Sequence, residues 1–112
     1  MKITAVETYA LQAPLENRTF GWSQGVASGR QTALCLITTD EGFQGVGEAF
    51  YYGGPAKIIA SVITDVFGPL LIGKNPLDTS VIWDSLYNGT RDQGMKGLTI
   101  CALSAVDIAL WD

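Results

Sequence analysis

The most strongly patterned stretch of the sequence reads Gln31-Thr-Ala-Leu-Cys-Leu-Ile-Thr-Thr-Asp-Glu-Gly-Phe-Gln-Gly-Val-Gly-Glu-Ala-Phe50. Residues 31–39 have a nearly continuous apolar centre, which is typical of a buried strand. Asp40-Glu41-Gly42 is typical of a short turn, and residues 44–50 again read as a strand. The stretch therefore predicts a β-hairpin.

The second strand of this hairpin has one face made only of small residues. Gly45, Gly47 and Ala49 share that face, because successive side chains of a strand point to opposite sides. Glycine weakens a strand unless another backbone must come close. We therefore expect a helix or a second domain to pack against this small face.

The rest of the chain supplies one earlier strand and several later helices. Residues 2–11 are rich in β-forming side chains, and Pro14 ends that strand. After residue 50 the apolar period becomes helical. Strands followed by helices predict an α+β fold, with a three-stranded antiparallel β-meander followed by about three α-helices.

The predicted helices have recognisable ends. The first begins at Gly53-Gly54-Pro55, with Pro55 in the first helical position, and stops at Gly68-Pro69. Its apolar positions repeat at i, i+3, i+4 and i+7. These positions are Ile59, Val62, Ile63 and Val66.

The second predicted helix begins at Asn75-Pro76, with Asn75 as the N-cap residue, and ends at Asn88-Gly89. The third runs from about Gly97 to the end and has no polar face, which indicates burial on most sides. No capping signal closes it, so we expect this chain to be one piece of a larger protein. The apolar face of the second helix consists of Ile82, Trp83, Leu86 and Tyr87.

Composition excludes several classes of function. The net charge is −4 and the seven basic residues are scattered, which argues against nucleic acid and against an anionic membrane surface. No apolar run approaches the roughly 18 residues that span a bilayer, and no signal peptide follows Met1. Cys35 and Cys101 lie in apolar runs and read as reduced thiols. These features predict a cytoplasmic protein.

The residue types for common catalytic sites are missing or dispersed. The sequence has no histidine, which excludes Ser-His-Asp and Cys-His sites and histidine-containing zinc sites. Asp40 and Glu41 fall in the hairpin turn, where solvated charge is usual. Glu48 could be an acid or base, or a structural hydrogen-bond acceptor. Asp107 is predicted to be buried with a structural partner. We assign no catalytic residue and no metal ligand.

Two segments have the composition of ligand-binding loops. Residues 13–30 show no clear element over eighteen residues, which is long for a compact domain. They hold Arg18, Phe20 and Trp22 among glycines, which suits a lid over a ligand. The alternative is a partly disordered loop whose aromatic rings dock on the core. In residues 50–54, Tyr51 and Tyr52 could offer hydroxyls to a polar ligand, or could only bridge sheet and helix.

Four motifs in order make the chain resemble a known family. They are Met1-Lys-Ile3, Gly45-Val-Gly-Glu-Ala49, Pro69-Leu-Leu-Ile-Gly-Lys-Asn-Pro76 and Ala102-Leu-Ser-Ala-Val-Asp-Ile-Ala-Leu-Trp-Asp112. The sequence is similar to the N-terminal capping domain of the enolase superfamily, in the mandelate racemase and muconate lactonizing enzyme group. The resemblance covers essentially the whole chain.

The resemblance implies a second domain and a type of chemistry. Family members pair this cap with a C-terminal (β/α) barrel, which supplies the carboxylates for Mg²⁺ and the bases that remove the proton α to a substrate carboxylate. Residues 1–112 would then be the cap, and the barrel is absent from this chain. The two segments above would close over the barrel mouth. The implied substrate-binding residues are Arg18, Phe20, Trp22, Tyr51 and Tyr52.

Several functions remain compatible with these residues. Polar and aromatic loops fit a polyhydroxy acid, and the sequence is similar to the sugar-acid dehydratases of the group. A racemase, an epimerase or a cycloisomerase is an alternative. A non-catalytic binding or assembly module is an alternative of another class. The expected partners are the barrel domain, a small carboxylate substrate and further copies of the chain, and residues 1–112 alone should be inactive.

Overall fold

Three long antiparallel strands form one sheet in the computed structural model, which describes residues 1–50 and 54–112. The strands of this sheet are β1 (Ile3–Pro14), β4 (Gly29–Thr39) and β5 (Gln44–Phe50). Two short strands, β2 (Phe20–Trp22) and β3 (Gly25–Ala27), pair separately. The sheet order is β1-β4-β5, so β4, which has the nearly continuous apolar centre, is the central strand. Helices follow the strands, and the predicted α+β meander is confirmed.

Residues 13–30 are more regular than their composition predicts. β1 and β4 stay paired out to Pro14 opposite Gly29, and β2 pairs with β3 in a second, small hairpin. The prediction of a segment without a clear element was wrong. Pro14 ends β1, as predicted, although the strand extends past residue 11; proline is tolerated there because β1 is an edge strand. Strands of three residues that contain glycine are too short to show a period.

Three helical segments follow the strands; the first and third pack on one face of the sheet, and the second packs on the third. The first comprises α1 (Ala56–Ser61), π-helical turns (Val62–Phe67) and α2 (Gly68–Leu71), and it is followed by α3 (Thr79–Gly89), a 3₁₀ turn (Arg91–Gln93) and α4 (Leu98–Trp111). Pro55 precedes α1 as its N-cap, one residue before the predicted position. The predicted end of α3 at Gly89 and the predicted start of α4 are confirmed.

The first helical segment does not stop at Gly68-Pro69, as predicted, but continues to Leu71. The amide of Gly68 donates to the carbonyl of Ile63, five residues earlier, which is the bond of a π-helix. Pro69 then falls in the first turn of α2, where its missing N–H is tolerated. The wider π turn also rotates Val66 out to solvent and brings Phe67 into the core.

The turn before α3 also differs from the prediction. Asn75 is not the N-cap; the helix begins at Thr79 with Asp78 in that position. The side-chain Oδ1 of Asn75 instead accepts a hydrogen bond from the amide of Leu77 at 3.3 Å. The main-chain carbonyl of Asn75 accepts one from the amide of Asp78. An N-cap side chain at Asn75 would accept this same Leu77 amide, but the chain makes a turn here and the helix begins only at Thr79.

Helix α4 packs on the small face of β5, which confirms that the glycines there admit another backbone. A Cβ atom on Gly45 would overlap the carbonyl oxygen of Ala109, and one on Gly47 would overlap that of Ala105. The two contacts show that α4 runs antiparallel to β5. At its end, Asp112 accepts a hydrogen bond from the amide of Val46 through Oδ2 at 3.0 Å.

The core lies between the sheet and the helices. Helix α4 is buried along most of its length, as its lack of a polar face predicts. Asp107 is an exception to the prediction, since it lies half-exposed beside Asp84 and Trp111. Within residues 1–50 and 54–112, no helix is long and apolar enough to cross a bilayer. The largest fully buried side chains are Ile3, Cys35, Ile59, Ile63, Phe67, Leu71, Leu86, Leu103 and Val106.

Candidate functional site

The two segments predicted to contact a ligand begin at the same end of the sheet. Gly29, at the base of the β2–β3 hairpin, starts β4, and Phe50 ends β5 opposite Thr32. Gly29 and Thr32 are three residues apart on one strand, a separation of about 10 Å. The fold therefore places the base of the hairpin and Phe50, the residue with which the second segment begins, side by side, at the opposite end from Asp112.

Two of the predicted site residues form one aromatic cluster. The ring centroids of Phe20 and Trp22 lie 6.1 Å apart with an angle of 42° between the planes. The guanidinium carbon of Arg30 lies 4.6 Å from the centroid of Phe20, which is within the range of a cation–π contact. The hairpin thus presents a fixed pair of rings instead of independent side chains.

Trp22 is held across the strand by a glycine. A Cβ atom on Gly25, the cross-strand partner of Trp22, would lie 2.8 Å from Cζ2 of the indole. The absence of that atom lets the indole lie against the backbone of β3. Trp22 as a whole is 44% exposed.

Arg18 lies in the turn that leads into this hairpin. The amide of Arg18 donates to the carbonyl of Leu15 at 2.8 Å, and Glu16 within the turn has a φ of 48°. The Arg18 side chain is exposed. Tyr51 and Tyr52 lie outside the described residues.

Three consecutive residues of β4 organise this end of the molecule: Arg30 ends the predicted ligand-binding segment 13–30, whereas Gln31 and Thr32 lie outside it. Arg30 contacts Phe20 of the hairpin. Gln31 Oε1 accepts the amide hydrogen of Ala56, the first residue of α1, at 3.0 Å. Thr32 Oγ1 contacts the carbonyl of Ala49 on β5. Their strand position was visible in the sequence, but contacts to residues 10 and 25 positions away were not.

Glu48 behaves as a hydrogen-bond acceptor at the edge of this region. Its Oε1 accepts from Thr32 Oγ1 at 2.7 Å, and the carboxylate is exposed on the sheet face away from the helices. With Leu11, Arg30 and Phe50 it lines a groove of about 550 Å³. The contact supports the structural interpretation of Glu48.

The carboxylates that the structure describes are dispersed over the fold. Among the described residues, no group of three or more histidine, cysteine, aspartate or glutamate side chains is placed to hold a metal ion. Asp40 and Glu41 lie at the far end of the sheet and contact the N-terminal region: Asp40 accepts from the amide of Lys2, and Glu41 pairs with the terminal amine of Met1. These residues therefore do not fit a Mg²⁺ ion.

The two cysteines carry no site chemistry. Both are free thiols, as predicted, with Cys35 buried under the helices and Cys101 half-buried on α4. Burial raises the pKa of Cys35 to about 12, because the apolar surroundings disfavour a thiolate. Cys35 is consequently a packing residue.

Comparison with known proteins agrees with this fold. Residues 5–112 match the family described as mandelate racemase / muconate lactonizing enzyme, N-terminal domain. The chain belongs to this family. Solved structures of similar fold include a member of the enolase superfamily from Agrobacterium tumefaciens, with a TM-score of 0.78 and 28% identity over 98% of this chain and 33% of that one.

Particular relatives carry the names of sugar-acid enzymes. D-galactarolactone cycloisomerase of Agrobacterium fabrum is 41% identical over the whole chain, which covers 28% of that relative. A D-galactonate dehydratase family member of Marinomonas is 42% identical over 75% of the chain and 20% of its own length. The 3,6-anhydro-D-galactonate cycloisomerase of Zobellia galactanivorans has a TM-score of 0.82 and 34% identity, over all of this chain and 28% of that one.

The chain is much shorter than the proteins it matches. It spans 20% to 28% of the length of these curated relatives. A racemase from Streptomyces coelicolor solved with bound magnesium has a TM-score of 0.89 and 26% identity, over 97% of this chain and 30% of that one.

Proposed function

We propose that residues 1–112 cap the active site of a Mg²⁺-dependent sugar-acid dehydratase, whose (β/α) barrel follows Asp112. The observation that carries the proposal is the aromatic hairpin of Phe20 and Trp22, which lies at the same end of the sheet as Phe50. Family membership and the names of the relatives support the sugar-acid class. The short span of the chain relative to those relatives supports a further domain.

Each candidate residue has a role that its chemistry suits. The exposed guanidinium of Arg18 would pair with a carboxylate or with hydroxyl groups of the acid. Phe20 and Trp22 would cover the bound acid and exclude water, since their rings already contact each other in a tilted pair. Tyr51 and Tyr52 would offer hydroxyls to the sugar. The described residues hold no ligand set for Mg²⁺, so no step is assigned to the metal.

Cycloisomerization of a sugar lactone is the second candidate. It is favoured by one observation, the match to D-galactarolactone cycloisomerase over the whole chain, whereas the dehydratase relatives match about three quarters of it. Both reactions begin by removing a proton from a carbon next to a carboxylate or lactone carbonyl. In either reaction the cap would cover the bound substrate and exclude water.

The experiment is an assay of the full-length protein with Mg²⁺ on D-galactonate, D-mannonate and D-galactarolactone. We expect release of a 2-keto-3-deoxy acid from an aldonate. Turnover of the lactone alone would favour the second candidate, and exchange of the α-proton in D₂O with inversion of configuration but no loss of water would favour a racemase. Activity in residues 1–112 alone, or no turnover and no exchange in the full-length protein, would overturn the proposal; the latter result would favour a binding module.

Two further expectations belong to this proposal. A cytoplasmic location is supported by the two free thiols. Self-association is supported by the sheet face away from the helices, where several large apolar side chains are exposed; light scattering over a range of concentrations tests it. These side chains are Tyr9, Leu11, Val46 and Phe50.

A further inference from the structure

The sheet face away from the helices has an apolar centre. Along β4, buried residues that face the helices alternate with half-buried or exposed residues on the other side, because successive side chains of a strand point to opposite faces. The strand register extends this second face onto β1 and β5: Tyr9 lies beside Leu34, and Val46 lies beside Leu36. Contiguous apolar side chains on one exposed face mark an interaction surface. Those of this face are Tyr9, Leu11, Leu34, Leu36, Val46 and Phe50.

Two opposite charges flank this apolar centre. Arg30 lies near one end of β4, and Glu7 pairs with Leu36 near the other end. Arg30 and Leu36 are six residues apart on the strand, which is about 20 Å and too far for Arg30 to pair with Glu7 of the same chain. Both side chains are exposed, and within the part of the chain that the structure describes neither forms a salt bridge. A further charge, Glu48, lies on the outer strand β5 and is bonded to Thr32 Oγ1.

The positions of Arg30 and Glu7 make the face complementary to itself. Packed sheets lie about 10 Å apart with their strands within about 30° of one another. If a second copy packs on this face with its strands antiparallel, Arg30 of each copy lies over Glu7 of the other, so the ion pair forms twice. Parallel packing would instead place like charges over each other. The charges therefore select an antiparallel arrangement with twofold symmetry, the commonest symmetry of protein dimers.

We propose that this face is a twofold interface between two copies of the protein, in which Arg30 of each copy pairs with Glu7 of the other. The inference rests on the self-association included in the proposed function, and it names the surface, the orientation and the residues. The apolar centre and charged ends match the usual anatomy of an interface. The interface also reaches the candidate site, because the guanidinium carbon of Arg30 lies 4.6 Å from the ring centroid of Phe20. A carboxylate from the second copy would hold that guanidinium over the ring.

The first test is chemical cross-linking in the full-length protein. One chain carries Glu7→Cys and a co-expressed chain carries Arg30→Cys, and a bismaleimide that spans about 10 Å, the separation of packed sheets, joins nearby thiols. We expect a link between positions 7 and 30, identified by mass spectrometry of the joined peptides. Because each chain carries only one of the two substitutions, this link forms only between copies. Glu7→Cys co-expressed with Arg91→Cys is the control and should give no link, since Arg91 lies in the turn between α3 and α4.

The other results of this test would overturn the interface. Links between two copies of position 7, or between two copies of position 30, would show parallel packing. Absence of any link would overturn the interface as well. Slow alkylation of the Glu7→Cys thiol would then show that another domain covers the face, and rapid alkylation would show that nothing covers it. A protein that turns over a sugar acid but gives no link would keep the proposed function and lose this interface.

The second test is charge reversal, followed by sedimentation equilibrium of the full-length protein. Glu7→Arg gives both ends of the face a positive charge, and Arg30→Glu gives both ends a negative charge. Either variant alone should weaken self-association by about tenfold or more, because both ion pairs become repulsive. An equal mixture of the two variants should associate like the unaltered protein, since each positive end then meets a negative end. Arg91→Glu is the matched control and should have no effect.

Recovery in the mixture separates an interface from a structural effect, because a variant that fails to fold cannot be rescued by another variant. The weakening in each single variant should also shrink at about 1 M salt, where exposed charges are screened within about 3 Å. Weak association of the mixture would refute the pairing of Arg30 with Glu7. Association of each variant alone that equals that of the unaltered protein would refute it too.

Discussion

The carbonyl oxygen of Ala105 lies where a side chain on Gly47 would begin. The contact joins the backbone of α4 directly to the backbone of β5, with no side chain between them. Gly45 repeats the arrangement one helical turn further on, against Ala109. This backbone contact fixes the position of α4 on the sheet.

Replacement of Gly47 by alanine should strongly destabilise the fold. We expect Gly47→Ala to reduce the free energy of unfolding by about 3 kcal/mol, because a backbone carbonyl cannot move aside as a side-chain end can. The measurement is urea denaturation followed by circular dichroism. Gly89→Ala is the control, since a Cβ there meets nothing within 4 Å and should change stability by less than about 1 kcal/mol. Equal effects of the two substitutions would contradict the assigned contact.

Replacement of Gly25 by alanine should displace Trp22 with little effect on global stability. The added Cβ would lie 2.8 Å from the indole, which must leave the backbone of β3. We expect a changed near-ultraviolet circular dichroism spectrum and, on the proposed function, a KM for the sugar acid raised by about tenfold. In the control, Gly21→Ala, the new Cβ has only ordinary contacts, at 3.6 and 3.7 Å. An unchanged spectrum and KM in Gly25→Ala would count against the packing of Trp22.

Because of Cys35, the free energy of unfolding should fall as the pH becomes alkaline. Its thiol titrates near 9.0 when unfolded and near 12 when folded, because burial disfavours the thiolate. The unfolded state therefore loses its proton first, so the stabilisation is complete below pH 9 and is lost as the pH rises towards 12. Urea denaturation at pH 8 and pH 10.5 should show a larger loss of stability in the unaltered protein than in Cys35→Ala. Cys101→Ala is the control; an equal loss in all three proteins would show that Cys35 does not contribute.

The sequence predicted those features that appear as a pattern among neighbouring residues. Three small residues on alternate positions of one strand could mean only a close neighbour, and Gly45 and Gly47 indeed face the backbone of α4. The hairpin and the burial of α4 followed from period and composition in the same way. Such features are visible because each residue's neighbours in the chain determine the pattern.

The first helical segment shows where this reasoning fails. A helical period predicted Val66 in the core and an end at Gly68-Pro69, but the π turns over Val62–Phe67 changed the register in mid-helix. The change of register buries Phe67 and Leu71, which stabilises the fold. A single sequence does not reveal this tertiary contribution. Tertiary packing therefore overrode the local signals there.

The candidate site was predicted in part. Phe20 and Trp22 were identified by composition, and they do form a cluster. Gln31 was missed because its role depends on Ala56, a residue brought near by the β4–β5 pairing. Polar residues that support a site through long-range bonds have no signature of their own in one sequence.

The bond between Asp112 and Val46 has a consequence for solubility. β5 is an outer strand of the sheet, and the amide of Val46 would otherwise be available to a strand of another molecule. An incoming strand would have to displace a carboxylate and then lie beside its negative charge, both of which are unfavourable. Asp112 thus discourages growth of the sheet into intermolecular aggregates.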